Sequence, residues 1–183
     1  MLRLVMAGWH FVGEAAFALE GGTFSDECWN SWVEGEFTDR IAPCMVGVFT
    51  EARHGRAREV AEADLSLVLA RDEASRNAGD ALLEVLASAR SVPPVSKLAT
   101  MAADGLSLHL ASAVAVQGAV FNLPVVSAML GYLFCEWKLA RRTAGLAQCE
   151  HTAELFSATN ASLQQRLRHL PALTFGSPLA DAS

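Results

Sequence analysis

The stretch "GLSLHLASAVAVQGAVFNLPVVSAMLGYLFC", residues 105–135, runs for 31 residues without a Lys, Arg, Asp or Glu, and its reading decides the fold. As a membrane segment it would find a basic flank in the "EWKLARR" that follows. A span needs about 20 consecutive apolar residues. Here His109, Ser112, Gln117, Asn122 and Pro124 interrupt the run, and Asn122-Leu-Pro breaks it near its middle. Neither half is long enough to cross a bilayer. Two buried helices joined by a tight corner account for the pattern, and such helices belong inside a bundle.

Outward from this core, the chain reads as helices separated by short punctuation. An apolar helix runs to about Glu20 and stops at Gly21-Gly22. Ser25 has the residue type of an N-cap, and Asp26 and Glu27 suit the dipole of the first turn that follows. Trp29, Trp32, Val33 and Phe37 then form a stripe at helical spacing, the mark of a buried face. Pro43 is expected to kink or split this element, leaving "CMVGVFTEARHG" as a second piece that ends at Gly55.

"RAREVAEADLSLVLA" is expected as an amphipathic helix and "DEASRNAGDALLEVLASA" as another, with Ala78, Leu82 and Leu86 on one face. Pro93 and Pro94 exclude helix just before them. "VSKLATMAADG" and "LSLHLASAVAVQGAVFN" follow, with Gly105 between them. Asn122 suits a helix cap, and Pro124 suits the first turn of the helix that leads to Lys138–Arg142. Further helices are expected over about Cys149–Phe156 and Ser162–His169. No run alternates with the period of a strand. The fold class is therefore all-α, a single-domain bundle of roughly eight to ten helices. It is expected to span residues 1–183, with a loop-like tail from about residue 170.

Composition narrows the function. Hydrophobic residues make up 52% of the chain and charged residues 19%, a thin polar coat that implies apolar surface for a partner to cover. A net charge of −6 argues against nucleic acid, whose phosphates need a basic face. Cys28, Cys44, Cys135 and Cys149 are widely spaced with no CxxC pair, and the N-terminus makes a poor secretory signal, so a cytoplasmic protein with reduced thiols is expected.

Few constellations suggest chemistry. Cys149 and His151 look like metal ligands, but positions i and i+2 of a helix point about 200° apart and no further ligand stands near in sequence. No Gly-rich phosphate loop and no HExxH occurs. Four Cys and five His allow many Cys/His pairings and single out none. Asp72-Glu73 sits at a helix start, where a dipole role suffices. Lys138, Arg141 and Arg142 are more informative, because i, i+3, i+4 spacing puts them on one helix face beyond an apolar run. They either offset the helix dipole, with their stems covering apolar surface, or form a docking edge for an acidic partner.

Several segments together resemble the urease accessory protein F (UreF) family. "SAMLGYLFCEWKLARRTAGLAQ" is similar to the family's aliphatic "AYL" helix and following "PLGQ" corner, with Tyr132, Leu133, Leu146 and Gln148 at matching places. "LARDEASRNAGDALLEVL" resembles its R-x-x-G-x-x-L segment through Arg76, Gly79 and Leu82. "DECWNSWVEGEF" resembles its second helix and "SPLADAS" its C-terminal run. The shared order over about residues 10–183 carries the resemblance. Departures are visible too. The family's N-terminal motif survives as "WHFVGEA", with Glu14 and Gly13 in place and His10 one position out of register. Asn122 stands where the family has a corner Gly, and the chain stops where the family's UreD/UreH-binding tail would begin, as in a divergent or C-terminally truncated member.

The resemblance implies a non-enzymatic scaffold without a cofactor. It would dimerise, bridge a UreD/UreH-like protein to the UreG-like GTPase, and regulate GTP hydrolysis as nickel passes to apo-urease. Lys138, Arg141, Arg142 and Gln148 are then the expected partner-docking residues. No catalytic residue, metal ligand, nucleic acid or membrane is expected. Two other classes fit parts of the sequence: a membrane protein inserting residues 105–135, and a helical ligand-binding protein using His109 and Gln117.

Overall fold

In a computed structural model of the chain, the structure describes residues 24–69, 72–88, 106–146 and 156–157. These are helices joined by turns, with no strand among the described residues. Five helices are present there: α1 (26–53), α2 (Ala57–Asp64), α3 (Asp72–Ser88), α4 (Leu110–Val120) and α5 (Val125–Thr143). The expected helices before Gly21 and over Ser162–His169, together with Pro93, Pro94, Glu14, Gln148, Cys149 and His151, lie outside the described residues.

Helix α1 starts as its sequence requires, with the Ser25 hydroxyl accepting from the Cys28 N–H at 3.1 Å. Pro43 does not split it. The rod is α-helical over Asp26–Trp32, π-helical over Val33–Ile41 and α-helical again over Ala42–Arg53. In α winding the proline ring would meet the carbonyl of residue i−4. A wider turn just before it shifts that carbonyl, and the Ala42 N–H bonds back to Phe37 O. Thr38 Oγ1 also donates to Val33 O at 2.6 Å, again five residues back. The winding changes while the helix continues without a break. Trp29, Val33, Phe37 and Ile41 are all buried, as their spacing implies; Trp32 is only partly so.

α4 is the centre. Every residue from Leu110 to Ala119 is buried, and the helix packs against α1, α3 and α5. This explains its lack of charge, since a helix covered on all sides has no face on which to solvate one. The corner after it is a Schellman motif: Asn122 N–H bonds to Ala119 O at 3.1 Å and Leu123 N–H to Gly118 O at 2.8 Å. Asn122 adopts φ 54°, the left-handed conformation that asparagine tolerates best after glycine. It therefore does at this corner what a glycine would do. Pro124 precedes α5 as its N-cap, so the uncharged stretch is a helical hairpin. No helix among the described residues is long and apolar enough to cross a membrane.

Two expected helices are shorter in fact. The segment beginning at Arg56 ends its helix at Asp64, because the Leu67 N–H turns back to Asp64 O and the Ser66 hydroxyl caps Ala63 O. Leu67 and Leu69 are buried beyond it while Leu65 and Val68 are exposed. Residues 106–109 are not helical, because α2 and α3 hold the N–H groups of Leu108 and His109. Rings tie α1 to α5: Phe37 stacks on Tyr132 at 6.2 Å, and Phe24 meets Trp29 and Trp137 at 6.5 Å each.

Candidate functional site

Two groups of charged side chains stand out. The first surrounds the entry to α4. Asp64, the last residue of α2, is 1% exposed. Its Oδ2 accepts from Arg76 Nη1 at 2.9 Å and its Oδ1 from the His109 backbone N–H at 3.1 Å. Arg76 on α3 also donates from Nε to Asp72 Oδ2 at 2.9 Å, one turn back on its own helix. It reaches the Ser107 carbonyl at 3.4 Å. Asp80 accepts from the Leu108 N–H at 3.2 Å and from the Ser107 hydroxyl at 2.9 Å, while Ser75 Oγ accepts from the Leu110 N–H at 3.3 Å. Three side chains from two other helices thus satisfy backbone donors that the start of α4 leaves open.

Gly79 makes this approach possible. A Cβ there would lie 2.0 Å from Leu108 O, inside any contact distance. Arg76 and Gly79 therefore act together, the guanidinium closing the ion pairs and the bare Cα letting residues 106–109 lie against α3. The pairing also sets protonation. Donation from Arg76 holds the Asp72 carboxyl below its ordinary range. Burial opposes the charge on Arg76, but Asp72 and Asp64 together outweigh it and raise its pKa.

His109 is fully buried, with its Nε2 3.0 Å from Asp72 Oδ1. Neither Nε2 nor Nδ1 has a hydrogen-bond partner. Gln117 lies on α4 itself, about two turns beyond the helix start that His109 caps. His109 and Gln117 therefore occupy separate places rather than facing each other across one pocket. Nearby, Cys44 Sγ lies 3.7 Å from Ser112 Oγ, and burial raises its pKa above the ordinary thiol value. Among the described residues no group of three or more His, Cys, Asp or Glu could hold a metal ion.

The second group lies at the end of α5. Lys138, Arg141 and Arg142 share one face, as their spacing implies. Lys138 Nζ sits over the Phe134 ring at 5.9 Å. The Arg141 guanidinium lies 4.8 Å from the Trp137 ring centroid and 5.9 Å from that of Phe24. Arg142 is exposed. Gly145 (φ 72°) and Leu146 close the helix in a second Schellman motif, with Gly145 N–H to Arg142 O and Leu146 N–H to Arg141 O, each 3.0 Å. Leu146 is 41% exposed beside these cations. Tyr132, on the same helix, is instead a core residue, its phenol pushed well above the ordinary range by burial and then by Glu136.

No family model matches the chain, and neither a curated protein nor a solved structure matches it.

Arg76 and Gly79, singled out only through the resemblance, lie in the first group, and the α5 cations, singled out by their spacing, make up the second. Sequence reasoning missed Asp64, Ser75 and Asp80, and assigned Asp72 only to the helix dipole. The Asp72–Arg76 spacing of four was a visible signal; the partners across helices had none.

Proposed function

We propose that this chain is a non-enzymatic, cytoplasmic scaffold of the urease accessory UreF type. In this reading it forms a bundle of roughly eight to ten helices that dimerises. It would bridge a UreD/UreH-like protein and the UreG-like GTPase and regulate GTP hydrolysis while nickel, as cargo, moves to apo-urease. One observation carries the reading. The residues of the resemblance sit where their chemistry is demanded: Arg76 closes the ion pairs at α4, Gly79 admits a carbonyl 2.0 Å from where a Cβ would be, and Asn122 takes the left-handed corner of the family's glycine. Apolar side chains such as Leu65 and Val68 left outside suit a protein that works through surfaces.

Co-purification tests this directly. The full chain, expressed with the UreG-like and UreD/UreH-like proteins of the same source, should be retained in one complex by a tag on either partner. A folded helical chain that passes through with neither partner would overturn the proposal.

A further inference from the structure

The described residues contain eight Lys and Arg side chains, and their pairing is uneven. Arg40, Arg56, Arg58 and Arg76 each close an ion pair with a carboxylate, at 2.8, 2.8, 2.9 and 2.9 Å. Arg53 reaches Asn122 Oδ1 at 3.5 Å. Among the described residues, Lys138, Arg141 and Arg142 have no carboxylate partner, although the chain as a whole carries a net charge of −6. In an acidic protein, cations left without acids are the exception that needs a reason.

The helix dipole supplies only part of one. It acts within the last turn, which holds Arg141 and Arg142 but not Lys138. The carbonyls of Arg141 and Arg142 are already satisfied by Leu146 and Gly145. Like charges at i, i+4, such as Lys138 and Arg142, also repel. Two of the three cations are nevertheless held in position by rings, Lys138 over Phe134 and Arg141 over Trp137. A ring beneath a guanidinium restrains it without consuming the in-plane N–H donors that grip a carboxylate in bidentate fashion. Leu146 adds an exposed apolar contact at the same helix end.

We infer that Lys138, Arg141, Arg142 and Leu146 form a preorganised docking surface for an acidic protein segment, a helix or loop that presents carboxylates at matching spacing beside one apolar residue. Charge complementarity selects this partner. Polynucleotide is disfavoured because three cations cannot offset the repulsion of a chain at −6, and no extended basic stripe is present among the described residues. Ring-held cations lose less side-chain freedom on binding, so the charges act on both encounter and residence. The inference deepens the scaffold reading by giving one docking face its chemistry, and rests on that reading only in taking the partner to be a protein.

The test is fluorescence anisotropy of the full chain with a labelled helical peptide carrying Glu at i, i+3 and i+4 beside one Leu. A Lys-for-Glu peptide and a short DNA duplex serve as competitors of other chemistry. The Glu peptide should bind at low salt, weaken as salt rises, and lose at least about tenfold in affinity with Lys138→Glu/Arg142→Glu. Arg142→Glu alone, at an exposed position that does not threaten folding, should lose about threefold or more. Arg58→Glu, a reversal elsewhere on the surface, should leave binding unchanged. Peptide affinity within about twofold of the parent in the double variant would overturn the inference, as would tighter binding of the duplex than of the peptide. Peptide binding that persists when the urease partners fail to co-purify sinks the scaffold reading alone. A urease complex that forms with the double variant as well as with the parent sinks the docking surface alone.

Discussion

Asp64, Arg76 and Asp72 at the entry to α4 and Lys138, Arg141 and Arg142 at the exit from α5 are both tight groups of charge, yet they are built differently. In the first, each charge meets an opposite one and the spare acceptor capacity is spent on backbone N–H groups from another element. In the second, the charges meet rings and solvent. A buried charge has to be matched, because its hydration is gone. One at a helix end can stay unmatched, because water still screens it. The contrast separates charge that holds the molecule together from charge available to something else.

Gly79→Ala tests the first group most severely. The new Cβ meets a backbone carbonyl rather than a side chain that could turn away, so residues 106–109 must lift and release the bonds from Arg76, Asp80 and Ser75 together. A loss of more than about 4 kcal/mol is expected in urea unfolding, or no folded protein at all. A loss under about 1 kcal/mol would show that this segment does not lie against α3.

Asp64→Ala comes next. Removing the carboxylate takes one of the two ion pairs of Arg76 and leaves the buried His109 N–H without its acceptor, and about 3 kcal/mol should be lost. Trp29→Ala should cost a similar amount, about 3–5 kcal/mol, because its ring is wholly inside. The half-covered Trp32 should cost clearly less, and equal losses at the two positions would contradict the packing of α1.

Asp72 supplies the pH dependence. Folding lowers its pKa through Arg76, so its contribution is complete above the usual carboxylate value of about 4 and is lost as pH falls through the lower, folded value. Asp72→Asn should therefore lower stability by a constant amount at neutral and alkaline pH and flatten the acid limb, so that variant and parent curves converge as pH falls. An acid limb that remains unchanged would assign the loss to other carboxylates.

The smallest effect belongs to the second group. Arg142→Glu should shift unfolding stability by no more than about 0.5 kcal/mol, because the side chain is exposed and closes no ion pair among the described residues. A loss comparable to that of Asp64→Ala would erase the distinction between the two groups.

Much of this was legible beforehand. The hairpin of α4 and α5 followed from an uncharged run broken at Asn122 and Pro124, and the start of α1 from Ser25 with acids behind it. The face shared by Lys138, Arg141 and Arg142 followed from spacing alone. These features are local: periodicity, caps and breakers act between residues a few positions apart, so a single sequence displays them. Pro43 shows where local rules fall short, since the rule predicts a break and does not say that a π-wound turn can absorb it.

What only the tertiary structure decided is the use of the polar residues. Nothing near Asp64 in sequence announces that it will accept from Arg76, 12 positions on, and from the His109 backbone, 45 positions on. Nor does anything near Leu108 say that its backbone will lie against Gly79. Apolar pattern is periodic and repeats within one helix, whereas a buried hydrogen bond is a single coincidence of two distant groups. The sequence by itself thus determined that these helices form and which faces turn inward. Their mutual placement determined which charges are sealed into the structure and which remain outside in solvent.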